Sequence, residues 1–108
     1  MSIKKIDDRF ATTGQIRTQD IAQLAGDGYI AIVCARPDNE EPGQPAFAEI
    51  ADEAAKHGIK AVHVPVAGAP TPEQVDRFKE TMATMEGPVL GYCRSGARSA
   101  ALYSSIGQ

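Results

Sequence analysis

One segment of this sequence predicts both a buried strand and a reactive thiol: residues 87–99, GPVLGYCRSGARS. It opens with the turn signal Gly87-Pro88 and continues with a short apolar run that is typical of a buried strand. Cys93 follows that run directly, and a loop containing Gly96 then leads into the small residues with which a helix begins. A thiol at the end of a strand and next to a helix N-terminus lies in the positive end of the helix dipole. We therefore expect the segment to hold Cys93 as a nucleophile.

Two arginines strengthen this expectation. Arg94 and Arg98 add full positive charges beside the thiol, and these charges favour thiolate over thiol. The loop N–H groups, with Gly96 free of the usual φ constraint, can surround an anion above the sulfur, and Arg98 can bind two of its oxygens. The alternative is a cysteine packed in the core, but a polar and doubly basic continuation does not suit a core position. The enzymatic interpretation requires a sulfur that is ionised and open to solvent.

The spacing within the loop separates two kinds of chemistry. Cysteine-dependent phosphatases share a Cys-x5-Arg loop, whereas four residues separate Cys93 from Arg98 here. The pattern Cys-Arg-x-Gly-x-Arg resembles the six-residue loop of rhodanese-type sulfurtransferases. A shorter loop makes a tighter ring of N–H donors, which suits a persulfide or a small sulfur oxyanion better than a phosphate monoester.

Length and composition are those of an ordinary globular protein. The chain has 108 residues, and we expect a single domain over residues 1–108. Hydrophobic residues make up 43% and charged residues 23%, and the net charge of −3 argues against a nucleic-acid partner. No apolar run approaches the length of a membrane span, and residues 1–6 lack the apolar part of a signal peptide. We therefore expect a cytoplasmic protein without a membrane partner.

The cysteines and histidines indicate neither a metal nor a cofactor. Cys34 and Cys93 would pair only by accident of the fold, so a free reactive thiol is the simpler interpretation, with Cys34 packed in the core. His57 and His63 belong to no cluster with metal-ligand spacing. We expect no metal site and no cofactor.

Strand and helix patterns alternate along the chain. The order is one or two short strands within 3–13, a helix capped by Thr18, a strand over 29–35, a helix over about 45–57, a strand over 59–66, a helix with Thr71 as its cap, the strand before Cys93, and a helix from about 97 to 106. This alternation predicts an α/β fold with a small, mostly parallel sheet flanked by helices. The loops 36–44 and 67–70, which also follow strands, should then surround Cys93.

The 36–44 loop contributes two further candidates. It leaves the carboxyl end of a strand, where ligands usually bind in open α/β sheets. Arg36 could contact an anion, and Asp38 could donate a proton. A solvated loop whose charges face water explains both residues equally well.

Several motifs in combination resemble one protein family. They are Gly14-Gln15, Arg36-Pro37-Asp38, Pro45, Pro65-Val66, Gly87-Pro88-Val89-Leu90 and Cys93-Arg94-Ser95-Gly96-Ala97-Arg98-Ser99. Over this span the chain is similar to the beta-lactamase-hydrolase-like protein family, phosphatase-like domain. The resemblance implies a dual-specificity-phosphatase-type fold. Because some members are fused to sulfur dioxygenases, it also implies a fused or partner enzyme of that kind.

The same resemblance implies roles for individual residues. Cys93 would be the nucleophile and Arg98 the clamp for the oxyanion. The substrate- or anion-binding residues would be Arg94, Ser95, Gly96, Ala97 and Ser99, of which the first four contribute loop amides. Tyr92 departs from the pattern, because phosphatases carry a histidine there that helps to tune the thiolate.

Two reactions compete, and the sequence favours sulfur transfer. A phosphatase of this type uses an aspartic acid on the loop after the preceding strand, but residues 66–70 contain no acid. A sulfurtransferase takes sulfane sulfur onto Cys93 as a persulfide and passes it to a thiol, and its leaving group needs little protonation. The expected partner is thus a small anion, either a sulfane-sulfur donor used with a thiol acceptor or, in the alternative, a phosphoester. A non-catalytic module that senses anions or persulfides is the third alternative.

Overall fold

The structure is a computed structural model that describes residues 2–106, and in this part of the chain one five-stranded sheet is packed against helices. The strands are β1 (Lys4–Lys5), β2 (Phe10–Thr13), β3 (Ala31–Cys34), β4 (Lys60–His63) and β5 (Val89–Tyr92). The helices are α1 (Ile21–Gly26), which follows a 3₁₀ turn at Thr18–Asp20, α2 (Phe47–Lys56), α3 (Pro72–Ala83) and α4 (Ala97–Ile106). The strand order is β1-β2-β5-β3-β4, with β1 antiparallel to β2 and the other pairs parallel. The predicted α/β fold is confirmed.

The strand before Cys93 lies at the centre of the sheet. All residues of β5 are buried, as expected for an apolar strand in a parallel sheet that is covered on both faces. Tyr92 is level with Thr13 of β2 on one side and with Cys34 of β3 on the other. Because these strands are parallel, their carboxyl ends share one edge, and Cys93 emerges in the middle of that edge.

Each face of the sheet has its own buried cluster. One cluster includes Phe10, Phe78 and Leu102 and lies under α3 and α4, and Cys93 belongs to it. The other is packed under α1 and α2 and includes Cys34 and Tyr92. The alternation of side chains along a strand thus directs Cys93 to the opposite face from Cys34 and Tyr92.

The first turn of α4 packs directly against β5. Gly91 makes this possible, because a Cβ at that position would lie 2.9 Å from the Cβ of Ser99 and would overlap the ring of Phe10. Phe10 has no room to retreat, since it stacks on Tyr103 at 4.5 Å and meets Phe78 edge-on at 5.7 Å. The helix N-terminus is therefore held close to the end of the strand that carries the thiol.

The strands are shorter than predicted. The apolar runs 29–35 and 59–66 give β3 and β4 of four residues each. Beyond β4, the N–H groups of Val64 and Val66 still donate to the carbonyls of Cys34 and Ala35. These two donors are two residues apart but their acceptors are adjacent in the sequence, so the register becomes irregular around Pro65 and regular pairing stops there.

The helix caps agree with the prediction at one position and differ at another. The Thr71 Oγ1 accepts from the Gln74 N–H at 3.2 Å, which confirms this threonine as the cap of α3. The predicted cap at Thr18 is wrong, because the 3₁₀ turn begins there and Arg17 occupies the cap position. The Arg17 N–H donates to Asp20 Oδ2 at 2.9 Å, so an aspartate at the end of the turn closes it from within.

The helices are all short. The longest of those described, α3, has 12 residues, and within residues 2–106 no helix combines the length and the apolar character that crossing a membrane requires.

Candidate active site

Neighbouring strands fix the backbone around Cys93 from both sides. The Cys93 N–H donates to the Thr13 carbonyl at 3.4 Å, and the Ala35 N–H donates to the Tyr92 carbonyl at 2.8 Å. The strand pairing thus continues up to the point where the cysteine loop, residues 93–98, begins.

The sulfur of Cys93 accepts hydrogen bonds from its own loop and from the first turn of α4. The Gly96 N–H donates to it at 3.0 Å. Burial by itself would raise the pKa of this thiol, but the amides of Ser99, Arg98, Ser95 and Gly96 stabilise the thiolate, and the pKa of Cys93 falls below its ordinary value. The predicted direction of the shift is thus found. Its main cause, however, is this set of backbone dipoles rather than the paired guanidiniums.

The expectation that the sulfur is open to solvent is wrong. Cys93 is 0% exposed. The donors that stabilise the negative charge also surround it, and the guanidinium of Arg98 lies within hydrogen-bonding reach of it. The enzymatic interpretation therefore depends on a movement that opens the site, and the side chain beside the sulfur that has to move is Arg98, which is paired with Glu40.

Two glycines allow the cysteine loop to lie against β2. Gly96 has a φ of +98°, and a Cβ there would lie 3.3 Å from the Thr13 carbonyl. Gly14, part of the Gly14-Gln15 motif, faces the Arg94 carbonyl, which a Cβ would approach to 2.8 Å. The Gln15 N–H donates to the same carbonyl at 3.4 Å. The end of β2 is therefore part of the site's framework, a role that the Gly14-Gln15 motif alone did not indicate.

Arg98 forms a two-point ion pair with a residue that the sequence analysis did not select. Its Nη1 and Nη2 donate to the Glu40 carboxylate at 2.7 and 2.8 Å, and Nη1 also donates to the Val66 carbonyl at 2.7 Å. Both side chains of the pair remain partly exposed, Arg98 to 19% and Glu40 to 26%. An anion that bound to Arg98 would compete with Glu40 for the same guanidinium.

Arg36 also binds Glu40 and so helps to hold the Arg98–Glu40 pair in place. Its side chain is 1% exposed, and its guanidinium donates at 2.9 Å to each of Glu40, Gln15 and Glu41. The hydrogen bonds from Arg98 and Arg36 lower the pKa of Glu40 to about 2. Because Arg36 is already committed to three partners, its placement favours a structural role over the predicted contact with an anion.

Three of the remaining candidates make hydrogen bonds that hold the loops and helices in place. Asp38 accepts from the Phe47 N–H at 2.9 Å and so caps α2, which favours the structural alternative over proton donation. Ser99 is buried, and its hydroxyl contacts Thr12 Oγ1 and donates to the Gly96 carbonyl at 3.0 Å, so only its amide faces the sulfur. Ser95 Oγ accepts from the Ala97 N–H at 3.3 Å.

Arg94 differs from the other two arginines because it is exposed. Its side chain is 71% exposed, and its closest charged neighbour is the carboxylate of Glu41 at 3.8 Å, beyond hydrogen-bonding distance. Its guanidinium therefore remains available to a ligand.

A cavity of about 310 Å³ opens between the cysteine loop, the 36–44 loop and the end of β4. It is lined by Arg36, Glu40, Glu41, Ala67, Arg94 and Arg98. The structure thus brings the 36–44 loop and Ala67 of the 67–70 loop together with the cysteine loop. Glu40 and Glu41 were missed as lining residues. The signal that could have identified them is that arginines beside a buried thiol need carboxylate partners.

Tyr92, at the position where phosphatases carry histidine, lies on the other face of the sheet from the thiol. It is 1% exposed, and burial raises its pKa far above the ordinary value for a phenol. Its hydroxyl lies beside Cys34, which is itself buried and donates to the Arg36 carbonyl at 3.3 Å. Burial likewise raises the pKa of Cys34. Only one of the two thiols is therefore poised as a thiolate.

The ion pair at Glu40 predicts a dependence of stability on pH. The pKa of this carboxyl is about 2 in the folded protein and 4.5 without the fold. As the pH falls between these values, the unfolded chain takes up the proton first, so the free energy of unfolding decreases. We expect Glu40→Gln to reduce the slope of this loss in urea unfolding experiments between about pH 5 and pH 2.

The control for this experiment is Glu80→Gln. Glu80 is an exposed carboxylate of α3 that forms no ion pair within residues 2–106, and its replacement should keep the slope of the unchanged protein. An equal slope for Glu40→Gln and the unchanged protein would contradict the assignment.

Comparison with known proteins identifies the family. The model of the beta-lactamase hydrolase-like protein family, phosphatase-like domain, matches residues 2–108. A beta-lactamase hydrolase-like protein of Agrobacterium fabrum is 37% identical over 105 residues, which cover 95% of this chain and 24% of that protein. The chain thus spans about a quarter of the length of this relative.

Solved structures agree with this match. A candidate phosphatase from Neisseria meningitidis is 35% identical and superimposes with a TM-score of 0.86, covering 95% of this chain and 74% of the other. A candidate phosphatase from Shewanella putrefaciens, 19% identical with a TM-score of 0.84 over 96% and 66% of the two chains, shares the fold. The predicted cysteine-phosphatase-like fold is therefore confirmed, and the chain belongs to the beta-lactamase hydrolase-like protein family, phosphatase-like domain.

Proposed function

We propose that this domain is a cysteine-dependent phosphatase with Cys93 as its nucleophile. One observation carries the proposal: within a fold shared with phosphatases, the sulfur at the end of the central strand accepts a hydrogen bond from the Gly96 N–H at 3.0 Å, in a loop whose amides lower its pKa. This reverses the order that the sequence suggested, in which sulfur transfer came first. The length of one loop is a local feature, whereas the whole chain matches a phosphatase-like family.

The reaction would proceed in two displacements. The thiolate of Cys93 attacks phosphorus, an S–P bond forms, and the bond to the leaving oxygen breaks with its electron pair on that oxygen. Water then attacks the phosphocysteine, which releases orthophosphate and restores the thiolate. In both steps the loop amides, and Arg98 once it is released from Glu40, would stabilise the negative charge on the oxygens of the phosphoryl group.

General-acid catalysis is weakly supported. The loop after β4 carries no acid, Asp38 is used as the cap of α2, and Glu40, with a pKa of about 2, is ionised at neutral pH. Losing such assistance typically costs about 10²–10⁴-fold in rate. We therefore expect faster turnover of substrates whose leaving group is stable as an anion.

Sulfur transfer is the second candidate, and the six-residue loop is the observation that favours it. The cycle would place a sulfane sulfur on Cys93, and a thiol acceptor would remove it. A fused or partner sulfur dioxygenase, which the family resemblance implies, is proposed together with sulfur transfer and not with phosphate hydrolysis.

The two candidates leave different intermediates on the same atom. We expect p-nitrophenyl phosphate to be hydrolysed faster than phenyl phosphate, and acid-quenched protein to carry the mass of one phosphoryl group on Cys93. Incubation with thiosulfate followed by cyanide is the parallel assay. Sulfur transfer would be favoured if Cys93 carried a stable sulfur adduct and if sulfur reached cyanide faster than p-nitrophenyl phosphate was hydrolysed. Anion binding without either turnover would indicate the non-catalytic module.

A further inference from the structure

The cavity beside Arg98, which the Cys93 sulfur does not line, is polar and nearly lacks apolar surface. Of its lining residues, Ala67 is the one without a charge, and the other five are arginines and glutamates. An aromatic phosphate ester would need apolar or aromatic side chains around its ring. At about 310 Å³ the cavity also lies near the lower end of the usual range for ligand sites. The site therefore fits a small hydrophilic anion.

The charges in the cavity are unequally committed. Arg36 is buried and has three hydrogen-bonded partners, and Arg98 is paired with Glu40 beside the sulfur. Glu41 is neutralised by its 2.9 Å contact with Arg36. Arg94 has only the 3.8 Å neighbour and is 71% exposed. The uncommitted positive charge thus lies at the rim, one residue from the nucleophile.

The chemistry of the leaving group leads to the same region. Without a well-placed acid, the oxygen that departs from phosphorus must be stable as an anion, and an arginine at the rim would stabilise that charge. Phosphate is a leaving group of this kind, because it is already anionic before the bond breaks.

We infer that the substrate is a phosphoanhydride, from which one phosphoryl group is transferred to Cys93 while the second phosphate departs with the bridging oxygen and is bound by Arg94 at the rim of the cavity. The inference rests on the proposed phosphatase function. With pyrophosphate, the thiolate takes one phosphoryl group and the bridging bond breaks to release the first orthophosphate. Water then hydrolyses the phosphocysteine to release the second, so that one pyrophosphate and one water give two orthophosphates.

The test compares kcat/KM for inorganic pyrophosphate with kcat/KM for p-nitrophenyl phosphate. A chelator is present so that contaminating metal-dependent pyrophosphatases are inactive. The unchanged protein should prefer pyrophosphate. Arg94→Gln should lower the ratio of the two values by about tenfold, the effect of losing one charge-assisted contact. The matched control is Arg77→Gln, an exposed arginine of α3, which should leave the ratio unchanged.

The possible outcomes separate this inference from the function on which it rests. Turnover of p-nitrophenyl phosphate without preference for pyrophosphate, or an unchanged ratio in Arg94→Gln, would overturn the inference and leave the phosphatase function intact. Absence of turnover with both substrates would overturn both. Because Arg94 is exposed and has no hydrogen-bonded partner for its guanidinium within residues 2–106, its replacement should not disturb folding.

Discussion

Replacing Cys93 with serine is expected to reduce phosphatase turnover by at least about 10⁴-fold, as the loss of a covalent nucleophile does in other enzymes. The loop amides lower the pKa of the Cys93 thiol and so favour its thiolate, but a hydroxyl starts from a far higher pKa and stays protonated. Serine would keep the shape of the loop and lose the nucleophile. Steady-state assays with p-nitrophenyl phosphate and with pyrophosphate would measure the effect.

The matched control is Cys34→Ser, which removes the other thiol of the chain. Cys34 lies on the opposite face of the sheet and donates to the Arg36 carbonyl, a bond that a serine hydroxyl can also form. This variant should retain turnover. Activity of the Cys93→Ser protein clearly above that of a protein-free blank would exclude covalent catalysis at this position.

Replacing Arg98 with lysine is expected to lower kcat/KM by about 10²–10³-fold, the usual cost of losing a group that stabilises charge in the transition state. The guanidinium reaches Glu40 through two nitrogens and still contacts the Val66 carbonyl, so it is held in one orientation beside the sulfur. A lysine ammonium preserves the charge but cannot form the planar two-point contact. The measurement is kcat/KM together with a urea unfolding curve that establishes that the variant is folded.

Arg77→Lys provides the control for an arginine-to-lysine change on the exposed surface of α3, and it should leave kcat/KM unchanged. If Arg98→Lys kept kcat/KM within about threefold of the original value, Arg98 would have no specific role in stabilising the transition state.

The fold could be predicted because its signals are local and repeated. Apolar runs before Cys34 and Cys93, glycines and prolines at the ends of elements, and the Thr71 cap each agree with the α/β alternation. Such agreement between independent local signals is what makes a sequence specify one fold. The errors lie at element ends, where single contacts decide, as at Pro65 and Thr18.

The site was predicted less completely, because its charges are arranged by tertiary contacts. The motif around Cys93 identified the thiol and Arg98, but no spacing rule connects Arg98 with Glu40, which lies 58 residues away. Arg36 was considered as a ligand contact because its neighbours in the sequence are polar, yet in the fold it holds two glutamates. The loop length, taken alone, favoured sulfur chemistry, while the match over residues 2–108 favours the phosphatase.

The burial of the sulfur has a consequence for the lifetime of the protein in air. Oxidation of a cysteine by peroxide depends on both its ionisation and its contact with solvent. The pKa of Cys93 is lowered, which favours ionisation, but at 0% exposure the residue has no contact with solvent. We therefore expect the resting protein to resist inactivation by hydrogen peroxide, and damage to accumulate mainly during turnover, when the covering side chains have moved aside.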